Sequence, residues 1–203
     1  ILNCKKAFAT WSMLPLEKRI EHLKSFQNEL VNEKQQLATA ISKETGKPLW
    51  DSLNEVQSMI NKIDISIDAY QERCKIISKN LPQGRSITRH KPHGVVAVFG
   101  PFNFPCHLPN GHLIPALLAG NTCVFKPSEL TPLTAEVTLE IWKKSGLPNG
   151  VIEVVQGGKE TGQILSQHRE INGLFFTGSF QTGNSLLKQF SNTPEKILAL
   201  ELG

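Results

Sequence analysis

Five apolar runs in this chain are each followed at once by residues able to do chemistry. Behind Val95-Val96-Ala97-Val98-Phe99 comes Gly100-Pro-Phe-Asn-Phe-Pro105, where Phe102 precedes a single amide, Asn103, and two prolines bracket it. Proline fixes φ and donates no backbone hydrogen bond, so the chain leaves this run in a stiff, irregular turn. An amide held there can donate to developing negative charge. Behind residues 122–125 come Lys126, Pro127, Ser128 and Glu129, a cation beside a carboxylate. That pairing suits the hydroxyls of a ribose, which need both donors and acceptors. The run at 151–155 leads into Gln156, Gly157 and Gly158, and the run at 174–176 into Thr177, Gly178, Ser179, Phe180, Gln181, Thr182 and Gly183. Gly-rich turns that enter helices present backbone N–H groups to anions. The last run, 197–200, ends at a second carboxylate, Glu201.

Taken singly, each feature has an ordinary explanation. A turn Asn commonly bonds its own backbone, Lys126 and Glu129 make a surface ion pair, and Gly after a strand serves turn geometry. The stretch from Gly178 to Gly183 is GxxxxG, neither the GxGxxG fingerprint nor a P-loop.

The elements that must position these residues read from periodicity. Leu16, Ile20, Leu23, Phe26 and Leu30 recur at helical spacing behind Pro15. A second helix over 33–45 stops at Gly46, with Pro48 just beyond. A third is expected from the Ser52-Leu53-Asn54-Glu55 capping box, carrying Val56, Met59, Ile60, Ile63, Ile67 and Tyr70 on one face. Residues 86–91 have strand composition and read as an edge strand or an arm reaching a partner. From Gly94 the apolar runs alternate with helical stretches near 112–118, 133–144, 163–166 and 184–190. Thr131-Pro132 makes an N-cap and first-turn pair, and Gly146-Leu147-Pro148 a stop. The spacings fit right-handed βαβ crossovers, hence an α/β fold with a five-strand, parallel, doubly wound sheet of Rossmann type. In such a sheet the loops after all strands open on one edge, so the residues above converge. The expected division is a helical part over 1–92 and a Rossmann-type core over 93–203.

Composition limits what the chain can be. Of 203 residues, 39% are hydrophobic and 20% charged, ordinary for a globular protein. A net charge of +4, spread along helices, argues against nucleic acid, and no apolar run approaches membrane-spanning length. Cys4, Cys74, Cys106 and Cys123 form no CxxC pair, so neither a metal site nor a disulfide scaffold is expected, and a reducing cytoplasm is. The opening residues lack both Met and a signal-peptide layout, and a fragment start is expected.

The motifs in their joint order resemble a known family. Gly100-Pro-Phe-Asn-Phe-Pro105, Gly120-Asn-Thr-Cys-Val-Phe-Lys-Pro-Ser-Glu129, Phe176-Thr-Gly-Ser179 with Gly183, and Glu201-Leu-Gly203 look like successive signatures of the NAD(P)-dependent aldehyde dehydrogenases. Within that family the run from Phe104 to Asn121 is most similar to the branch acting on succinylglutamate semialdehyde in bacterial arginine catabolism, which usually carries Gly where Cys106 stands. The resemblance implies oxidation of an aldehyde to an acid through a cysteine thiohemiacetal and thioester. It implies Asn103 as oxyanion donor and Glu201 as general base for the hydrolytic water. It implies Lys126, Ser128 and Glu129 at the adenosine ribose, with Phe102, Gly158, Gly178, Ser179, Phe180, Gln181, Thr182 and Gly183 bordering the rest of the cofactor. Glu129 favours NAD over NADP, since a carboxylate there repels a 2′-phosphate. The family's nucleophilic cysteine lies beyond the Glu201 motif, so none of the four thiols here is expected to serve, and this chain alone is expected to be inactive. A small aldehyde is the expected partner, and the full-length protein is expected to form a dimer or tetramer. A non-catalytic dinucleotide-binding module, or another branch of the family, stays open at this point.

Overall fold

The computed structural model describes all residues, 1–203. Four helices open the chain: α1 (Leu2–Trp11), α2 (Leu16–Asn32), α3 (Lys34–Thr45) and α4 (Leu49–Arg73). A hairpin of β1 (Ile77–Leu81) and β2 (Gly84–Thr88) follows, and then the βαβ series begins. It runs β3 (Val95–Phe99), α5 (His107–Leu118), β4 (Thr122–Lys126), α6 (Pro132–Lys144), β5 (Ile152–Val154), α7 (Lys159–Gln167), β6 (Gly173–Gly178), α8 (Phe180–Phe190) and β7 (Ile197–Leu202).

The five-strand sheet is parallel throughout, in the order β5-β4-β3-β6-β7. The expected doubly wound sheet is therefore present, and its order reverses between β3 and β6. A reversal of this kind leaves a crevice beyond the carboxyl ends of the two central strands. Val95, Ala97 and Phe99 point to one face of β3, and Val96 and Val98 to the other, as the period of two requires. The first face packs on α7 and α8 through Leu165, Leu186 and Phe190. The second packs on α5 and α6 and, beyond them, on α2, α3 and α4. The start of β3 is pinned by two amides: Asn121 Oδ1 accepts from His93 and Gly94 N–H, and Asn172 Oδ1 from Val95 N–H.

Several local expectations are corrected. Helix α1 had no sequence-based counterpart; it is held by Cys4 and Trp11, both buried in the core. Helix α4 starts at Leu49 behind Pro48, and the capping box at Ser52 does not form; Ser52 Oγ is buried without a partner. The strand expected at 86–91 is present but shifted, as β2 over Gly84–Thr88, paired antiparallel with β1, with every residue of both strands exposed. Helix α5 begins at His107, five residues before the periodic stretch, although it contains Pro115. Helices α7 and α8 likewise begin at Lys159 and Phe180, ahead of 163 and 184. Thr131 is the residue before α6 but its hydroxyl makes no cap bond. Glu44, at the end of α3, takes that role and accepts from the N–H groups of Leu133 and Thr134 at 2.8 and 2.7 Å. No helix is long and apolar enough to cross a membrane.

Candidate active site

The residues singled out in the sequence lie along one edge of the sheet, in strand order. Gly158 follows β5, Lys126 ends β4, Asn103 follows β3, Gly178 ends β6 with Ser179 just beyond it, and Glu201 lies in β7. With strands about 4.8 Å apart, the span from β4 to β7 is roughly 14 Å, a length that suits an extended dinucleotide.

At one end, Lys126 is only 7% exposed. Its Nζ donates to Pro127 O at 3.0 Å and lies 3.8 Å from Glu129 Oε2. Burial holds the ammonium pKa below its usual range, and the Glu129 carboxylate opposes that only in part. The carboxylate of Glu129 is largely in solvent, and Ser128 Oγ accepts from Leu130 N–H at 3.2 Å. A buried cation with one neutral acceptor keeps donors free for a ligand's oxygens. Gly158 precedes α7, and a Cβ there would meet nothing within 4 Å, which leaves open space over the helix start.

In the middle, Asn103 is exposed, and its Oδ1 accepts from Phe104 N–H at 3.0 Å. The self-bonding typical of a turn Asn is thus real, and because it uses the amide oxygen it leaves the amide N–H groups without a protein acceptor. The rings of Phe102 and Phe104 flank it, 56% and 39% exposed. The turn is tightly seated: Gly100 N–H donates to Lys126 O, and a Cβ on Gly100 would come within 2.6 Å of Pro109.

At β6, Ser179 is the N-cap of α8, and its Oγ accepts from Thr182 N–H at 3.3 Å. Gly183 N–H donates to Ser179 O at 3.0 Å, which leaves the N–H groups of Phe180 and Gln181 at the helix start for an anion. The residues between Gly178 and Gly183 are therefore the first turn of a helix rather than an extended Gly-rich loop. Gly183 is small because Leu202 of β7 packs on it; a Cβ would lie 2.3 Å from Leu202 Cδ2.

Glu201 pairs in register with Thr177 and is exposed. A histidine of the helix after β3 meets it. His112 Nε2 of α5 lies 3.2 Å from Thr177 Oγ1 and 3.8 Å from Glu201 Oε1, with its ring stacked on Phe175. Burial lowers the His112 pKa more than Glu201 raises it, so the neutral ring is favoured.

The thiols do not join this edge. Cys106 is 3% exposed and its Sγ lies 3.3 Å from Thr138 Oγ1, on the core side of α5. Burial raises the thiol pKa first, and Glu55 raises it further. Cys4 and Cys123 are buried against each other, Cys4 Sγ donating to Cys123 O at 3.4 Å. A hollow of about 510 Å³ also lies elsewhere, between Leu2 and α7, where Val155 and Ile164 line it.

Comparison with known proteins places this arrangement. The aldehyde dehydrogenase family model matches residues 1–203, the whole chain. The chain belongs to the aldehyde dehydrogenase family. It is 56% identical over all 203 residues to proteins named N-succinylglutamate 5-semialdehyde dehydrogenase from Burkholderia cenocepacia and Burkholderia thailandensis. It spans 42% of the length of those relatives. Among solved structures, an aldehyde dehydrogenase from Bartonella henselae is 34% identical with a TM-score of 0.89, over 99% of this chain and 42% of that one. A betaine aldehyde dehydrogenase from Staphylococcus aureus in complex with NAD+ is 30% identical with a TM-score of 0.91, over 100% and 42%. An NADP-dependent glyceraldehyde-3-phosphate dehydrogenase from Bacillus halodurans, complexed with NADP, is 28% identical with a TM-score of 0.91, over 100% and 43%.

In this aldehyde dehydrogenase chain, two acidic residues of the amino-terminal helices were missed as parts of the site's frame. Glu55 of α4 has a wholly buried side chain; its Oε1 accepts from Cys106 and His107 N–H at 3.0 and 3.1 Å, and its Oε2 from Lys47 Nζ at 2.9 Å. Glu55 thus caps α5 as Glu44 caps α6. Its capping-box spacing to Ser52 disguised it as a local cap; only the tertiary fold turns it toward α5.

Proposed function

We propose that this chain is the dinucleotide-holding portion of an NAD-dependent dehydrogenase that oxidises N-succinyl-L-glutamate 5-semialdehyde to N-succinyl-L-glutamate. The observation that carries the substrate is the 56% identity, along the whole of this chain, to relatives bearing that name. The donor set fits a nicotinamide dinucleotide. Lys126 and Glu129 would take the adenosine ribose hydroxyls as donor and acceptor, with Ser128 and Gly158 beside them. The N–H groups at the start of α8 would meet phosphate, and Phe102, Gly178, Ser179, Phe180, Gln181, Thr182 and Gly183 would border the rest. Glu129, exposed within 3.8 Å of Lys126, disfavours a 2′-phosphate and so supports NAD over NADP. When bound, the nicotinamide supplies the hydride acceptor.

The work of this chain's own residues is to hold charge and water. The Asn103 amide donates to the oxygen that becomes negative as the aldehyde carbon turns tetrahedral, a donor worth about 10²–10³ in rate. Glu201 takes a proton from the water that releases the acid, and neutral His112 keeps a polar contact beside it without a competing positive charge. The nucleophilic thiol comes from outside these 203 residues, since Cys4, Cys106 and Cys123 are buried and Cys74 follows α4. The hairpin β1–β2 serves as an oligomerisation arm in the full-length protein. A lone two-strand ribbon is marginal in water, and this one exposes Ile77, Leu81 and Ile87.

Steady-state kinetics of the full-length protein on a panel of aldehydes, with NAD+ and NADP+ in parallel, tests the reading. The acidic semialdehyde should have the highest kcat/KM, and NAD+ should be preferred. A cationic aldehyde such as betaine aldehyde, or a neutral one such as propanal, turning over better would move the protein to another branch. The 203-residue chain alone should give no turnover.

A further inference from the structure

We propose that Lys47, held in place by Glu55, is a positioning residue for the Asn103 amide, an inference that rests on Asn103 acting as the oxyanion donor. Three contacts in series connect them. Glu55, with no exposed side-chain surface, fixes Lys47 Nζ at 2.9 Å. Lys47 Nζ in turn lies 3.5 Å from the centroid of the Phe104 ring, within cation–π range. Phe104 N–H then donates to Asn103 Oδ1 at 3.0 Å, and this bond sets which way the amide N–H groups point. The same Glu55 carboxylate binds the N–H groups of Cys106 and His107, so one buried anion clamps the turn just past Asn103 both directly and through Lys47.

Lys47 itself has little freedom to wander. It follows Gly46, whose φ of 73° ends α3 in the left-handed region, and its carbonyl accepts from Ser42 Oγ at 2.7 Å. Its side chain is 15% exposed, so the charge sits in a partly dry setting where attraction to a ring face is stronger than in water. Phe104, by contrast, is 39% exposed, and the ammonium on its face restrains it. Loss of that restraint frees the Phe104 backbone, and with it the acceptor geometry at Asn103. Displacement of a reacting or stabilising group by about 1 Å can cost as much as 10²-fold in rate.

The test uses the full-length enzyme. Lys47→Met alone leaves Glu55 buried without its partner and risks the fold. The paired variant Lys47→Met/Glu55→Gln removes both charges, while the new amide oxygen still accepts from the head of α5. This pair should lower kcat about 10-fold with the aldehyde KM changed less than about 2-fold. Placed on Asn103→Ala, the pair should change kcat by less than about 2-fold, because the group it positions is gone. Lys47→Arg, which keeps a cation over the ring, should retain about half of the wild-type kcat or more. An unchanged kcat in the paired variant, or losses that simply multiply with Asn103→Ala, would overturn the proposal. Should the wild type oxidise no aldehyde, a crystal structure of the paired variant still decides: a turned or shifted Asn103 amide supports the clamp, and a superimposable one refutes it.

Discussion

Glu55 and Cys106, 51 positions apart, are joined by a backbone N–H to carboxylate bond of 3.0 Å that binds helix α4 to the first turn of α5. Glu44 closes α6 in the same manner from the end of α3. Both carboxylates satisfy N–H groups that a helix cannot pair internally, and both lie where the helix dipole favours negative charge. The amino-terminal helices therefore do more than cover the sheet; they terminate two of its crossover helices.

The two caps should differ in cost. Glu44→Ala removes a partly solvated cap, and about 1–2 kcal/mol should be lost. Glu55→Ala strips two N–H groups and Lys47 of a buried partner, and about 3–5 kcal/mol should be lost. Urea titration followed by far-UV circular dichroism measures both, and equal losses would contradict the burial argument.

Lys126 should show opposite effects on folding and on binding. Its ammonium is buried with one neutral acceptor and a largely solvated carboxylate at 3.8 Å, so Lys126→Met should raise the melting temperature of the free protein. The same substitution should weaken NAD+ about 10-fold, the value of one charge-assisted hydrogen bond. Calorimetric titration and thermal melting read the two effects. Equal NAD+ affinity in both proteins would remove Lys126 from the ribose.

Two half-buried histidines make stability fall on mild acidification. Desolvation holds His107 and His112 below the usual imidazole pKa, against the opposing pull of Glu55 and Glu201 respectively. The unfolded chain therefore takes up protons first, as the pH drops past about 6.5, while the folded chain stays neutral. The contribution is complete above that pH and is lost as the pH falls through the lowered folded values. Asp64 and Glu170, held down by hydrogen bonds from Lys24 and Lys5, add a second loss in the carboxylate range. The pair His107→Gln/His112→Gln should flatten the first decline in chemical denaturation between pH 7 and 5, and leave the second.

Thiol chemistry should single out one cysteine. Burial pushes the Cys4 thiol up to about 12, raises Cys123 well above the ordinary thiol value, and raises Cys106 likewise. Cys74, half-buried just after α4, is the most accessible of the four. A disulfide-exchange reagent should label one thiol per native chain quickly and four after denaturation. Cys74→Ser should abolish the fast phase, and Cys106→Ala should leave full-length kcat unchanged.

Much of the sheet and of its loaded edge was legible because both depend on short-range patterns. Apolar runs such as Val95–Phe99 identify buried strands, and parallel strands force their following loops to one side, so Asn103, Lys126, Gly178 and Glu201 could be grouped beforehand. What was hidden depends on contacts distant in sequence. Ser52-x-x-Glu55 and Thr131-Pro132 both match local caps, yet α5 and α6 are capped by Glu55 and Glu44. Helix α5 was read too short because Pro109 and Pro115 break its pattern, whereas Pro109 sits in the first turn, where a missing N–H costs nothing. The His112 contact with Glu201 needs β7 beside β6, a pairing that periodicity does not reveal.

The two faces of the sheet are unequally supplied with core: 27 buried residues join the cluster under α2 to α6, and 11 the one under α7 and α8. Cooperative opening should follow that imbalance, with α7 and α8 exchanging their amide hydrogens well before α4 and α5. The Asn103 turn belongs to the slow-exchanging side and the first turn of α8 to the fast one. A dinucleotide lying across both would slow exchange chiefly in α7 and α8. Such a ligand would complete the weaker half of the fold, and its departure would loosen that half while the turn at Asn103 kept its shape.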